Sequence, residues 1–150
     1  MSRPSRREGP PTSARTVAIA FLVACLARAT GARAGTPSLD YALNCQGCHR
    51  ADGTSTPGSV PALAGSVGRF LRVPGGREFL VRVPGVAQAA LDDAALADVL
   101  NWILERFGPD DLPRDFVPYA AAEVGRLRHQ PLTNIQRVRR ELIDALERAK

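Results

Sequence analysis

The sequence predicts an all-α fold, and three observations carry that expectation. Leu96, Val99, Leu100, Ile103 and Phe107 recur at the i, i+3, i+4 spacing of a helix with one buried face. Thr36-Pro37 pairs a capping side chain with proline at the first helical position, which reads as a helix start. Ile135, Val138, Leu142, Leu146 and Ala149 form a second apolar stripe with charges on the opposite face.

The remaining elements follow in chain order. The first helix is expected over about residues 37–48, presenting Leu39, Ala42 and Leu43. Residues 52–68 are rich in Gly, Pro, Ser and Thr and read as a loop. Phe70 and Leu71 start a short helix that Pro74-Gly75-Gly76 ends. Residues 77–83 fit either a helix or an extended segment, and periodicity does not decide between them. Asp92 or Asp93 caps the long helix, and Gly108-Pro109 stops it. Residues 120–130 read as a short helix, and Thr133-Asn134-Ile135-Gln136 as the capping box of the last one.

The charge is unevenly placed. The chain has 150 residues and a formal net charge of +5, which invites a nucleic-acid reading. Residues 1–16 carry Arg3, Arg6, Arg7 and Arg15, an apolar stretch runs from Val17 to Ala27, and Ala32-Arg33-Ala34 follows as an A-x-A cleavage pattern. This is the order of a secretory signal peptide, which gives a removable segment at 1–34. That segment holds six of the 20 basic residues and one of the 15 acidic ones, so 14 of each remain and the working chain is neutral. The basic balance therefore belongs to export, and a nucleic-acid partner is not expected. No apolar run reaches the roughly 18 residues of a membrane span. Leu22-Val23-Ala24-Cys25 offers a second reading, a lipobox in which Cys25 becomes a lipidated first residue and ties the protein to a membrane. Ser5-Arg6-Arg7 lacks the apolar follow-up of a twin-arginine signal.

Two cysteines remain beyond that segment, in Cys45-Gln46-Gly47-Cys48-His49. C-x-x-C-H is the attachment pattern of a c-type haem. Two thiols two residues apart reach the two vinyl groups on one edge of a porphyrin, and the next residue, His49, comes under the iron as proximal ligand. Gly47 leaves room for the haem edge. A structural disulfide is open to the same cysteines in an oxidising compartment. A thioredoxin-like pair wants a βαβ setting, which is missing, and zinc wants four ligands where the chain has one further His.

With these residues in view, the chain resembles the class I cytochromes c over about residues 36–107. Cys45 to His49 followed by Arg50-Ala51-Asp52-Gly53, the Pro61-Ala62-Leu63-Ala64-Gly65 segment, and the run from Leu91 to Ile103 carry the resemblance. It implies a small helical fold around one covalent haem c over residues 35–108, with a helical C-terminal extension over 109–150. It further implies that the Pro61 carbonyl accepts a hydrogen bond from His49, that Leu63 packs on the haem, and that the aromatic Trp102 crosses the helix leading into CxxCH. One of Arg69, Arg72, Arg77 and Arg82 is expected on a haem propionate.

The sequence departs from that family on the other side of the iron. Class I members usually supply a distal Met, but the single Met here is Met1. Residues 83–88 (VPGVAQ) stand where a Met-bearing loop is expected. The options are an open or water-bound position, His129 as a second imidazole, or a weaker donor from Gln88, Asn101, Tyr119 or Lys150. The resemblance implies a periplasmic carrier of single electrons rather than an enzyme, exchanging them with a dehydrogenase, an oxidase or a membrane electron-transfer complex. The missing Met motivates the alternative, a protein that binds or senses small ligands at an open iron. The last helix is expected to pack back on the core, with docking to a partner as the rival reading. Residues 92–115 carry a balance of −5 and residues 119–150 one of +3. That asymmetry either steers a charged partner or reflects two segments neutralising each other.

Overall fold

The computed structural model describes residues 35–58 and 60–149. Residues 1–34, on which the expected signal peptide and Cys25 fall, and also Ser59 and Lys150, lie outside the described residues. The elements are six α-helices and two short 3₁₀ turns, with no strand among the described residues. The all-α expectation holds.

Helix α1 spans Pro37–Asn44, with Thr36 as its cap accepting from the Leu39 N–H at 3.4 Å. It ends one turn sooner than expected, and it buries a different face. Tyr41 is 0% exposed, whereas Leu39 is 48% and Leu43 74% exposed. An eight-residue helix offers one narrow inward stripe, and the aromatic that can also satisfy its hydroxyl takes it. The Tyr41 hydroxyl donates to the Arg50 carbonyl at 2.7 Å, and its ring lies 5.2 Å from Trp102 and 5.3 Å from Phe107.

A 3₁₀ turn at Gly68–Arg72 leads to α2 (Gly76–Arg82) and α3 (Pro84–Ala87). Of residues 77–83, undecided by periodicity, 77–82 are thus helical and Val83 is extended. Gly75 turns the chain with φ +82°, and Gly76 lies so close to the Phe70 carbonyl that a side chain there would collide with it. Val83 precedes a proline and takes the extended conformation, ψ 134°, which separates α2 from α3. Helix α4 (Asp93–Phe107) is capped by Asp92, whose carboxylate accepts from the Ala95 N–H at 2.7 Å. A second 3₁₀ turn (Pro109–Asp111) follows, then α5 (Ala121–Arg128) and α6 (Ile135–Arg148). The cap of α6 is Asn134, accepting from the Arg137 N–H at 3.1 Å, in place of Thr133. Asn ranks above Thr as a cap, and it wins by one position.

Two cores result. The main one gathers Tyr41, Val81, Leu96, Leu100, Leu104, Phe107, Tyr119 and Val124. The second gathers Phe70, Val73 and Phe79 under Leu142 and Leu146 of α6, with the Phe70 and Phe79 rings 5.2 Å apart. The last helix therefore packs on the fold, although Ala149 at the end of its stripe is exposed.

Residues 35–150 form one compact unit, so the boundary drawn at 108/109 is not a seam. Asn101 of α4 both donates to the Tyr119 carbonyl (3.0 Å) and accepts from its N–H (2.7 Å). The Arg77 guanidinium holds Glu123 at 2.6 and 2.7 Å and the carbonyls of Val117 and Pro118, and it stacks 4.1 Å over the Tyr119 ring. The Tyr119 hydroxyl returns a hydrogen bond to the Arg77 carbonyl at 2.8 Å. Arg128, its side chain 12% exposed, donates to the carbonyls of Ala87, Ala89 and Leu91 and to the Asp93 carboxylate. The Arg128–Asp93 pair joins the acidic and basic segments at 3.1 Å.

Two expectations can be measured on this scaffold. Tyr41→Ala removes a fully buried ring and is expected to cost about 3–5 kcal/mol in denaturant unfolding. Tyr41→Phe loses the hydroxyl bond alone, about 1 kcal/mol, and Leu43→Ser changes stability by less than about 0.5 kcal/mol. The second concerns acid. The hydrogen bonds from Arg77 hold the Glu123 carboxyl below its ordinary value. Its contribution is complete above the unfolded-state value and is lost as pH falls through the lowered folded value. Glu123→Gln should therefore cost about 1–2 kcal/mol at neutral pH and progressively less on acidification.

Candidate functional site

The residues singled out by their spacing sit on one turn at the end of α1. The Cys45 N–H bonds the Tyr41 carbonyl at 2.9 Å and closes the helix. The Cys45 carbonyl then accepts from the N–H groups of Cys48 (3.1 Å) and His49 (2.9 Å), which coils the two cysteines and the imidazole into a single turn. An isolated bridge pairs His49 with Ser55, and the Arg50 N–H reaches the Thr54 carbonyl at 2.8 Å. The Asp52 carboxylate accepts from the Thr54 N–H and hydroxyl, and Gly53 turns the chain with φ +76°. A side chain at Gly53 would come within 2.5 Å of the Phe107 ring, so glycine is what lets this loop lean on the end of α4.

Both thiols are free, Cys45 half-buried and Cys48 exposed, so the disulfide option is not taken in this structure. Burial, with smaller contributions from Asp40 and Cys48, pushes the Cys45 thiol up to about 11. No group of three or more His, Cys, Asp or Glu residues arranged to hold a metal occurs among the described residues. Burial lowers the His49 value, so its imidazole is neutral near pH 7, the form that coordinates a metal. His49 Nδ1 is buried without a hydrogen-bond partner. No atom lies within 4 Å of the space a Gly47 side chain would fill. Two free thiols, a neutral imidazole with a buried unpartnered nitrogen and an uncrowded Gly47 between the cysteines fit a covalently attached haem.

The neighbouring expectations divide. Leu63 and Cys45 pack against the same main core, and the Leu63 N–H bonds the Gly53 carbonyl at 2.8 Å. Pro61 is exposed, and its carbonyl does not accept from His49, whose Nδ1 is left alone. Trp102 crosses α1 as the resemblance implies, 5.2 Å from Tyr41.

Three of the four arginines are already engaged. Arg72 holds the carbonyls of Asp110 and Asp111, Arg77 holds Glu123, and Arg82 holds the Gln130 carbonyl. Half-buried Arg69 has no hydrogen bond or ion pair of its side chain among the described residues.

The candidates for the far side of the iron are not brought to His49. His129 is exposed at the end of α5, and Gln88 is exposed after α3. Asn101 and Tyr119 are spent on one another's segments, and Lys150 lies outside the described residues. Spacing alone missed two residues that organise the site's surroundings. Tyr41 could have been found as the i−4 neighbour of Cys45. Arg128 carried no local signal, because its partners lie about 40 residues away.

No family model matches the chain. A cytochrome c-552 of Thermus thermophilus is 36% identical over 126 residues, covering 72% of this chain and 80% of the relative. A second cytochrome c-552 of that organism is 36% identical over 107 residues, covering 59% of this chain and 82% of the relative. The likeness extends far beyond the five residues of the cysteine turn and takes in most of the helical fold around it: the chain belongs to the c-type cytochromes.

Proposed function

We propose that this chain is an exported mono-haem carrier of single electrons, with haem c bound through Cys45 and Cys48 and His49 as the proximal iron ligand. The observation that carries the reading is the single turn after α1 that groups two free thiols with a neutral, half-buried imidazole. Cys45 and Cys48 would hold the haem as thioethers, each by adding its S–H across a vinyl group, sulfur to one carbon and hydrogen to the other, with no net change in oxidation state. The bound haem supplies an iron that cycles between two oxidation states. The chain's own residues do the rest. The bonds from Cys48 and His49 to the Cys45 carbonyl fix the imidazole relative to both sulfurs. Tyr41 holds that turn to α4 through the Arg50 carbonyl. Arg69, the one of the four candidate arginines whose side chain has no partner among the described residues, is assigned to a propionate, where a guanidinium matches a carboxylate.

Residues 1–34 direct export, so the partners are periplasmic redox proteins, a dehydrogenase, an oxidase or a membrane electron-transfer complex. Lipidation at Cys25 would add a membrane anchor. The segregation of charge between residues 92–115 and 119–150 suits an encounter that weakens as salt is added.

Haem staining after denaturing electrophoresis tests the attachment. The double variant Cys45→Ala/Cys48→Ala is expected to lose all stain and each single variant to keep a weaker band; stain retained by the double variant would sink the reading. Arg69→Ala removes the positive charge assigned to the propionate and is expected to lower the reduction potential by roughly 40 mV, about 1 kcal/mol for one electron. An unchanged potential would move the propionate contact elsewhere.

A further inference from the structure

Residues 88–92 link α3 to α4 and belong to no helix. Their backbone carbonyls therefore need donors from elsewhere. Ala89, Ala90 and Leu91 carry none in their side chains, and the Ala87 carbonyl at the end of α3 has no following turn to bond it. Arg128 supplies the donors from 35 to 41 residues away. Its Nε donates to the Ala87 carbonyl at 3.1 Å, one terminal nitrogen to the Leu91 carbonyl at 2.7 Å and the Asp93 carboxylate at 3.1 Å, and the other to the Ala89 carbonyl at 2.6 Å. Three alternate carbonyls thus converge on one guanidinium whose side chain is 12% exposed. That planar fork keeps its charge at every pH at which the protein folds, so the grip does not titrate.

The same stretch of chain faces the core with its side chains. Val86, Ala89 and Leu91 pack against the main core, and so do Cys45 of the attachment turn and Leu63. The link is held between that core and Arg128. It continues residues 83–88, which stand where the resemblance places the loop that reaches the iron's far side.

We propose that Arg128 is a positioning residue for the haem. By holding the carbonyls of Ala87, Ala89 and Leu91 it fixes the segment opposite His49 and controls how readily a ligand reaches the sixth position of the iron. The inference rests on the haem being held at His49. It does not depend on which group occupies the sixth position, because an internal ligand has to leave, and an external one to enter, past the same segment.

The test is the rate at which cyanide binds the ferric holoprotein, followed in the Soret absorbance, beside amide hydrogen exchange over residues 88–92 and a pyridine haemochrome assay for covalent haem. Arg128→Ala is expected to bind cyanide at least about tenfold faster than the wild type, the factor that one lost charge-assisted hydrogen bond produces, with faster exchange in the link. Arg128→Lys keeps the charge beside Asp93 but loses the fork, so it is expected to bind cyanide faster as well, and it is the variant to read if the alanine variant fails to fold. Glu123→Ala releases α5 from α2 instead and is expected to leave the rate unchanged. Equal cyanide behaviour in the wild type and Arg128→Ala, binding by neither included, overturns the proposal, even where the link exchanges faster. So does an equal acceleration in Glu123→Ala, which would make Arg128 a fastener of the fold alone, or a wild-type rate in Arg128→Lys, which would make it only a charge partner of Asp93. With covalent haem present, each of these results leaves the haem reading standing. Absence of covalent haem from the wild type overturns both.

Discussion

Tyr41 is the contact on which the arrangement depends. A short helix carrying CxxCH has to be held against the rest of the fold before its cysteines and histidine can serve a cofactor. That hold is one fully buried ring, wedged between Trp102 and Phe107 of α4, with its hydroxyl on the carbonyl of Arg50. The two ends of the tyrosine act on different links of the chain of causes. The ring sets where α1 crosses α4, and the hydroxyl sets where the polypeptide emerges one residue past His49. Trp102 and Phe107 meet edge to face at 5.6 Å, so the three rings form a closed cluster at the crossing.

The C-terminal third completes this scaffold. Half-buried guanidinium groups act as its fasteners, and those of Arg77 and Arg128 are each satisfied several times over. Arg77 ties α2 to α5 and to the strand-free stretch before it, and Arg128 ties α5 to the link between α3 and α4. Such groups are costly to bury unless their donors find acceptors. Here backbone carbonyls supply most of them, which makes each arginine a staple across segments distant in sequence. Helix α6 adds the second core by covering Phe70, Val73 and Phe79. The charge segregation seen along the chain is thus partly consumed internally, at the Arg128–Asp93 and Arg72–Asp111 pairs.

What could be read from the sequence divides along physical lines. The α4 stripe from Leu96 to Phe107, the caps at Thr36 and Asp92 and the stop at Gly108-Pro109 are local signals, and the structure contains them. CxxCH is likewise local, because its five residues fall within a single turn of chain. Competition between neighbours was harder to read. The first helix spends its one inward position on Tyr41 and leaves Leu39 and Leu43 outside, which hydrophobicity alone does not foresee. Residues 77–82 became helical because Gly75 and the extended residue before Pro84 bracket them, a constraint outside their own periodicity. The fasteners were not legible at all. Arg72, Arg77, Arg82 and Arg128 reach acceptors 35 to 48 residues away, and a charged residue on a helix looks the same whether it faces water or a carbonyl.

The central claim is that this fold presents one covalently held, redox-active iron to partner proteins. A spectroelectrochemical titration of the purified holoprotein tests it most directly. The account predicts a single reversible transition with the slope of a one-electron couple and one haem per chain, fully recovered on reoxidation. A chain with no reducible covalent chromophore, or one whose oxidised form is not recovered, would contradict it.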